Sequence, residues 1–146
     1  MADSTDDDTL RAIFQQVRSF AVVGFSANPS RPSHYVSQFL QGKGYRIVPV
    51  NPGLAGQTML GEAVHADLAA IPGDVDALDI FRRSEHVFPI VEDALARFPH
   101  LKAIWMQLGV RDDAAADLAR ARGVRVVQDR CPKIEIPRLF GSARPF

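Results

Sequence analysis

The chain has 146 residues, 47% of them hydrophobic and 23% charged, the balance of a globular domain able to bury one core. Seventeen basic residues meet seventeen acidic ones, which argues against a generally basic, nucleic-acid-seeking surface. No apolar run nears the roughly 20 residues needed to cross a bilayer, and a single cysteine, Cys131, excludes an internal disulfide framework.

The start, "MADSTDDDTL", is acidic and lacks the basic-then-apolar order of a signal peptide, so a cytoplasmic address is expected. Residues 1–8 read as a solvated, flexible acidic head rather than a cation site, and residues 9–146 as one domain. Leu10, Ile13, Phe14 and Val17 then recur at helical spacing, with Asp8 or Thr9 able to cap the start. "FAVVGF" (Phe20–Phe25) is a short, nearly continuous apolar run, the pattern of a parallel strand covered on both faces. Pro32 and Ser33 open a helix that carries Val36, Phe39 and Leu40 on one face and stops at Gly44. "RIVPVN" (Arg46–Asn51) is a second strand, and Pro49 inside it favours an edge position.

"ADLAAIP" predicts a short helix or turn and "ALDIF" (Ala77–Phe81) a third strand. Val87, Ile90, Val91, Ala94, Leu95 and Phe98 form a helical stripe with Ser84 as its cap. "AIWMQL" (Ala103–Leu108) is a fourth strand, and Asp112 or Asp113 caps the helix that Gly123 ends. "VRVVQD" (Val124–Asp129) is a fifth strand, and the tail "RCPKIEIPRLF" shows no clear periodicity. Strand and helix alternate with short connections. Because such crossovers are right-handed and join parallel strands, the fold class is α/β: a single Rossmann-like domain with an open, five-stranded, mostly parallel sheet and helices on both faces.

Ligands on such sheets bind beyond the carboxyl ends of the strands, where strand order reverses. That rule selects the segments Gly24–Ser33, Asn51–Gly53, Phe81–Ser84, Gln107–Val110 and Gln128–Pro132. In the first, Gly24 permits a tight turn, the helix start exposes unpaired N–H groups, and Arg31, Ser26 and Ser33 add donors. These features suit a diphosphate, and equally an ordinary strand-to-helix loop. No G-x-G-x-x-G can be aligned here, and Asn51–Pro52 stands where NAD enzymes place an acidic residue. Arg82 and Arg83 suit phosphates or a stacked adenine, or serve as plain solvent charges. Phe81 is either core or ligand wall. Gln107 and Gly109 offer an amide and a close backbone to a ligand that carries amides of its own. Cys131 is a lone thiol with no histidine near it in sequence. His34, His65, His86 and His100 have no metal-ligand spacing and read as surface or helix-face residues. No catalytic motif is present to defend.

Six segments in register resemble one family: "VVGFSANPSRPSHYV", "YRIVPVNP", Gly61–Glu62, "VDALDIFRRSE", "IWMQLGV" and "DRCPKIEIPRL". The chain resembles the small stand-alone coenzyme A-binding proteins, whose domain is related to that of the succinyl-CoA synthetase alpha subunit and of ADP-forming acyl-CoA synthetases. The resemblance implies coenzyme A, or an acyl-CoA, along the carboxyl edge of the sheet. It would set Gly24, Phe25, Ser26, Ala27, Asn28, Arg31, Pro32 and Ser33 near the phosphates. Asn51, Pro52, Phe81, Arg82 and Arg83 would enclose adenosine and its 3′-phosphate. The pantetheine arm would run toward Gln107, Leu108 and Gly109, ending near Cys131.

The synthetase alpha subunits use a more glycine-rich first turn than "GFSANPSRPS", which shifts the expected load onto Arg31. The synthetases also need a phosphorylated histidine in a separate domain, and this chain reaches Phe146 without one. The reading is therefore non-catalytic coenzyme A binding, with no metal, as a carrier, sensor or partner module. An acyl-CoA-handling subunit of a multi-chain ligase and an NAD(H)-binding redox sensor are the alternatives. Whether the partner is another protein or a second copy of the chain stays open.

Overall fold

Asp6 starts the first helix: its carboxylate accepts from the Thr9 amide at 2.8 Å and caps α1 (Asp7–Gln16). The cap is thus neither Asp8 nor Thr9, and Asp7 and Asp8 of the acidic head form the first helical turn, where the helix dipole favours negative charge. The computed structural model describes residues 5–146; Asp3 and the rest of residues 1–4 lie outside the described residues.

Five strands form one parallel sheet: β1 (Ser19–Val23), β2 (Arg46–Val50), β5 (Ala77–Ile80), β6 (Ala103–Met106) and β7 (Arg125–Val127), in the order β2-β1-β5-β6-β7. Between them run α2 (Pro32–Gly42), α3 (Val87–Arg97) and α4 (Asp113–Ala121), and α5 (Pro132–Phe140) follows β7. From β1 the chain steps outward to β2, then returns to lay β5 on the other side of β1. Strand order therefore reverses between β1 and β5, and their carboxyl ends flank the crevice where such sheets hold ligands.

Alternate strand residues feed two cores. Ala21, Val23, Leu78, Ile80, Ile104 and Met106 face α3 and α4. Phe20, Val22 and Trp105 face the other helices, together with Phe14, Leu40 and Ile136. The edge position of β2 is as its proline predicts. Pro49 accepts from the His65 amide at 3.0 Å on the outer side, so its missing N–H also points outward and removes no bond to β1.

Three elements depart from the sequence reading. A two-stranded hairpin, β3 (Thr58–Met59) with β4 (Glu62–Ala63), turns through Leu60 and Gly61 at φ +53° and +76°. Glu62 clasps Arg46 of β2 with both oxygens, at 3.1 and 3.2 Å. The tail forms α5 despite Pro137, because tertiary contacts outweigh the helix bond that Pro137 cannot make. Ile136 is buried, and Glu135 is bonded by Arg130 and Arg138. Ser84 does not cap α3: it opens a short 3₁₀ turn before that helix, and its hydroxyl accepts from the Arg111 amide at 2.9 Å. Asp112, one of the two expected caps, does cap α4 through the Ala115 amide.

Candidate functional site at the carboxyl edge

The exit of β1 is built to bond itself. Gly24 and Phe25 donate both their amides to the Val50 carbonyl, at 3.1 and 3.2 Å. Ser33 Oγ accepts from the Ser26 amide at 2.9 Å, Ser26 Oγ from Asn28 at 3.1 Å, and the Asn28 carbonyl from Arg31 at 3.0 Å. Most backbone donors in the turn are thereby committed. Those of Ala27 and Ser33 meet no acceptor among the described residues, and Ser33 sits at the dipole's positive end on α2. His34 is a buried anchor rather than a surface histidine. Its Nδ1 lies 2.8 Å from the Ser26 carbonyl oxygen, and its ring packs on Phe25 at 5.1 Å.

Around this turn lies a cleft of about 840 Å³. Gly24, Ser26, Arg31, Pro32 and Ser33 form one wall, and Phe81, Arg82, Arg83, Gln107, Leu108, Gly109 and Cys131 continue it across the exits of β5, β6 and β7. A second cleft of about 470 Å³ opens between the exits of β1 and β2 and includes Asn51 and Pro52. Gly24, Phe81 and Arg82 line both, so the two clefts share a wall. Phe25 lines neither: its side chain is fully buried in the core. Ala27 and Asn28 are exposed on the loop but line neither cleft.

Asn51 is a tie rather than a free reader. Its Nδ2 donates to the Phe25 carbonyl at 2.7 Å, and its Oδ1 accepts from Gly53 at 2.8 Å. The β6 exit is held from β7: Asp129, at φ +55°, accepts from the Gly109 amide at 2.7 Å. This strut went unrecognised in the sequence because no local signal marks a pairing 20 residues apart. Three lining residues were also missed, namely Tyr35, Lys133 and Ile134, while Val110 closes the expected segment Gln107–Val110. Lys133 and Ile134 sit at the start of α5, so missing that helix hid them.

Electrostatically the wall is unbalanced. Arg31, Arg82 and Lys133 have no carboxylate within ion-pair distance among the described residues, while Arg83 lies only 4.0 Å from Glu85. Gln107 is 95% buried, and its Oε1 has no hydrogen-bond partner. A buried amide left in that state costs free energy unless something fills the vacancy. Cys131 is a free, buried thiol on the same wall. Behind the site, Asp79 of β5 is fully buried with neither oxygen bonded, and burial holds its carboxyl well above the usual range. Asp79 lines neither cleft.

The chain matches the model of the CoA binding domain over residues 18–137. It belongs to that family. Like the resemblance in the sequence, the match spans all five sheet strands and reaches into α5. This CoA binding domain is 34% identical over 125 residues to the uncharacterized protein YneT of Bacillus subtilis (strain 168), covering 86% of this chain and 90% of that one. Its fold is similar to that of cell-free ID.343 from Thermus thermophilus, at a TM-score of 0.86 and 37% identity, over 93% of this chain and 100% of the other. A dinucleotide-forming acetyl-coenzyme A synthetase of Ca. Korarchaeum cryptofilum shares the fold at a TM-score of 0.65 and 21% identity; 80% of this chain covers 26% of it.

Proposed function

We propose that the paired clefts bind coenzyme A or an acyl-CoA, and that the domain acts as a carrier, sensor or partner module without chemistry of its own. Family membership supports this reading, and one observation carries it: the buried, unbonded Oε1 of Gln107 on a wall rich in uncommitted cations. Coenzyme A matches both, since its phosphates answer the cations and its pantetheine amides answer Gln107. In this arrangement the diphosphate meets Arg31 and the free amide of Ser33. The nucleoside reaches past Arg82 into the smaller cleft. There Asp67 and Asp93, on the same lining as Asn51 and Pro52, suit hydroxyl and amino donors, which keeps the phosphates on the arginine side. The pantetheine arm runs by Gln107 toward Cys131.

Calorimetry with coenzyme A, acetyl-CoA, NAD and ATP tests the reading. Coenzyme A or its thioester is expected to bind tightest, and a preference for NAD would reject it. A charge-assisted hydrogen bond contributes about 1.5–3 kcal/mol, so Arg31→Ala is expected to weaken coenzyme A binding at least tenfold. Since Arg31 is exposed and makes no side-chain cap bond, the ligand-free Tm should hold. Unchanged affinity in that variant would mean the phosphates lie elsewhere.

A further inference from the structure

Among the described residues four large hydrophobic side chains are exposed: Tyr35 (40%), Leu108 (55%), Ile134 (55%) and Phe146 (38%). Phe146 has its own company, with Arg18 stacked 3.8 Å from its ring centre and Tyr45 at 5.0 Å. The other three all line the larger cleft. Single exposed apolar residues are ordinary, whereas their gathering at one concave site marks a surface that something covers. Two of them follow the sheet, while Tyr35 stands on α2, one turn beyond Arg31. Arg31 and Arg82 belong to the exits of β1 and β5, Leu108 and Ile134 to those of β6 and β7, and Gln107 adjoins Leu108 between them. The wall thus passes from cationic, through a single buried amide, to apolar. Lys133 interrupts the apolar part, with its ammonium 5.6 Å from the centre of the Phe39 ring.

We propose that the cargo is an uncharged aliphatic acyl group carried as its coenzyme A thioester, with Tyr35, Leu108 and Ile134 as the surface that receives the chain. The inference rests on the coenzyme A reading and adds to it what lies beyond the sulfur. A free thiol at the end of pantetheine has little use for three exposed apolar side chains. An alkyl chain leaving the thioester along the β6 and β7 exits covers them and releases their bound water.

The test is a calorimetric series on the full chain with coenzyme A and its acetyl, butyryl, hexanoyl and octanoyl thioesters, plus succinyl-CoA. Full burial of a methylene corresponds to about fourfold in affinity. On a lip open to solvent on one side, about twofold per methylene is expected. The preference for octanoyl-CoA over coenzyme A should collapse in Ile134→Ser and in Leu108→Ser, each first checked for an intact ligand-free Tm. A flat series with coenzyme A still bound overturns the acyl proposal and leaves the coenzyme A reading standing. Succinyl-CoA binding more tightly than butyryl-CoA also overturns it, as a sign that Lys133 recruits a carboxylate. A chain-length preference that survives both substitutions removes these residues from the role. Failure of every thioester and of coenzyme A itself would bring down the underlying reading.

Discussion

Gly24 leaves β1 at φ +86°, and a Cβ built there would stand 2.7 Å from the Phe81 carbonyl oxygen and 3.0 Å from the Arg82 side chain. The glycine lets the β1 exit cross close over the β5 exit, which fixes the shared wall of the two clefts. Backbone cannot yield as a flexible side chain does, so strain and clash add in Gly24→Ala. The expected destabilisation is about 2–4 kcal/mol by denaturant unfolding. A loss under about 0.5 kcal/mol, the usual range for surface substitutions, would show that the crossing is looser than described. Asn51 and Asp129 work at the same scale, each holding a neighbouring turn by a side-chain bond at 2.7 Å. Both look like candidate ligand contacts in a sequence, because a polar residue after a strand reads alike whether it faces a ligand or a loop.

Helix α5 is the element on which the far side of the cleft depends, since it carries Lys133 and Ile134 at its start. Its interior Pro137 makes it a poor helix by itself, and side-chain anchors compensate. Glu135 accepts from Arg130 Nη1 at 2.7 Å and from Arg138 Nη2 at 3.2 Å, while Arg138 reaches on to Asp7 of α1 at 2.8 Å. The Glu135 side chain is 6% exposed and that of Arg130 24%, so the Glu135–Arg130 contact is shielded, though less than a fully buried pair. Glu135→Ala is expected to cost about 1–3 kcal/mol, below the 3–5 of a fully buried pair. Amide hydrogen exchange should quicken in α5 before it does in the central strands. Uniform loss of protection across the sheet would mean that α5 is no separate unit.

For the molecule as a whole, Asp79 sets a dependence on pH. In the unfolded chain a carboxyl of this kind ionises near pH 4, whereas burial in β5 raises it well above that in the folded form. Raising the pH above about 4 therefore favours the unfolded chain, by about 1.4 kcal/mol per pH unit until the folded carboxyl itself ionises. Asp79→Asn removes that titration. The stability of the variant relative to the parent is expected to rise steadily between pH 5 and pH 7, read as the difference in Tm. Taking the difference cancels the opposite contribution of Asp6 and Asp7, whose carboxyls are lowered by the bonds from Thr9 and Arg138. A difference that stays level over this range would show that Asp79 is charged or hydrated in the folded protein.

Chain-local physics determined the parallel α/β class, the edge position of β2 and the segments that reach the carboxyl edge. Doubly covered strands must be apolar throughout, and helices must repeat near every fourth residue, so both patterns stand in the order of the letters. The resemblance to the CoA binding domain was legible for the same reason, in short runs such as "VVGFSANPSRPS" and "DRCPKIEIPRL". What only the tertiary structure decided is which polar groups are already taken. Phe25 withdrew into the core, Asn51 was absorbed by two backbone bonds, and Gln107 was left with its oxygen unanswered. Helix α5, and with it Ile134 of the apolar lip, also emerged only there. Burial and hydrogen-bond satisfaction belong to groups brought together from distant parts of the chain, and no local window of sequence contains both partners.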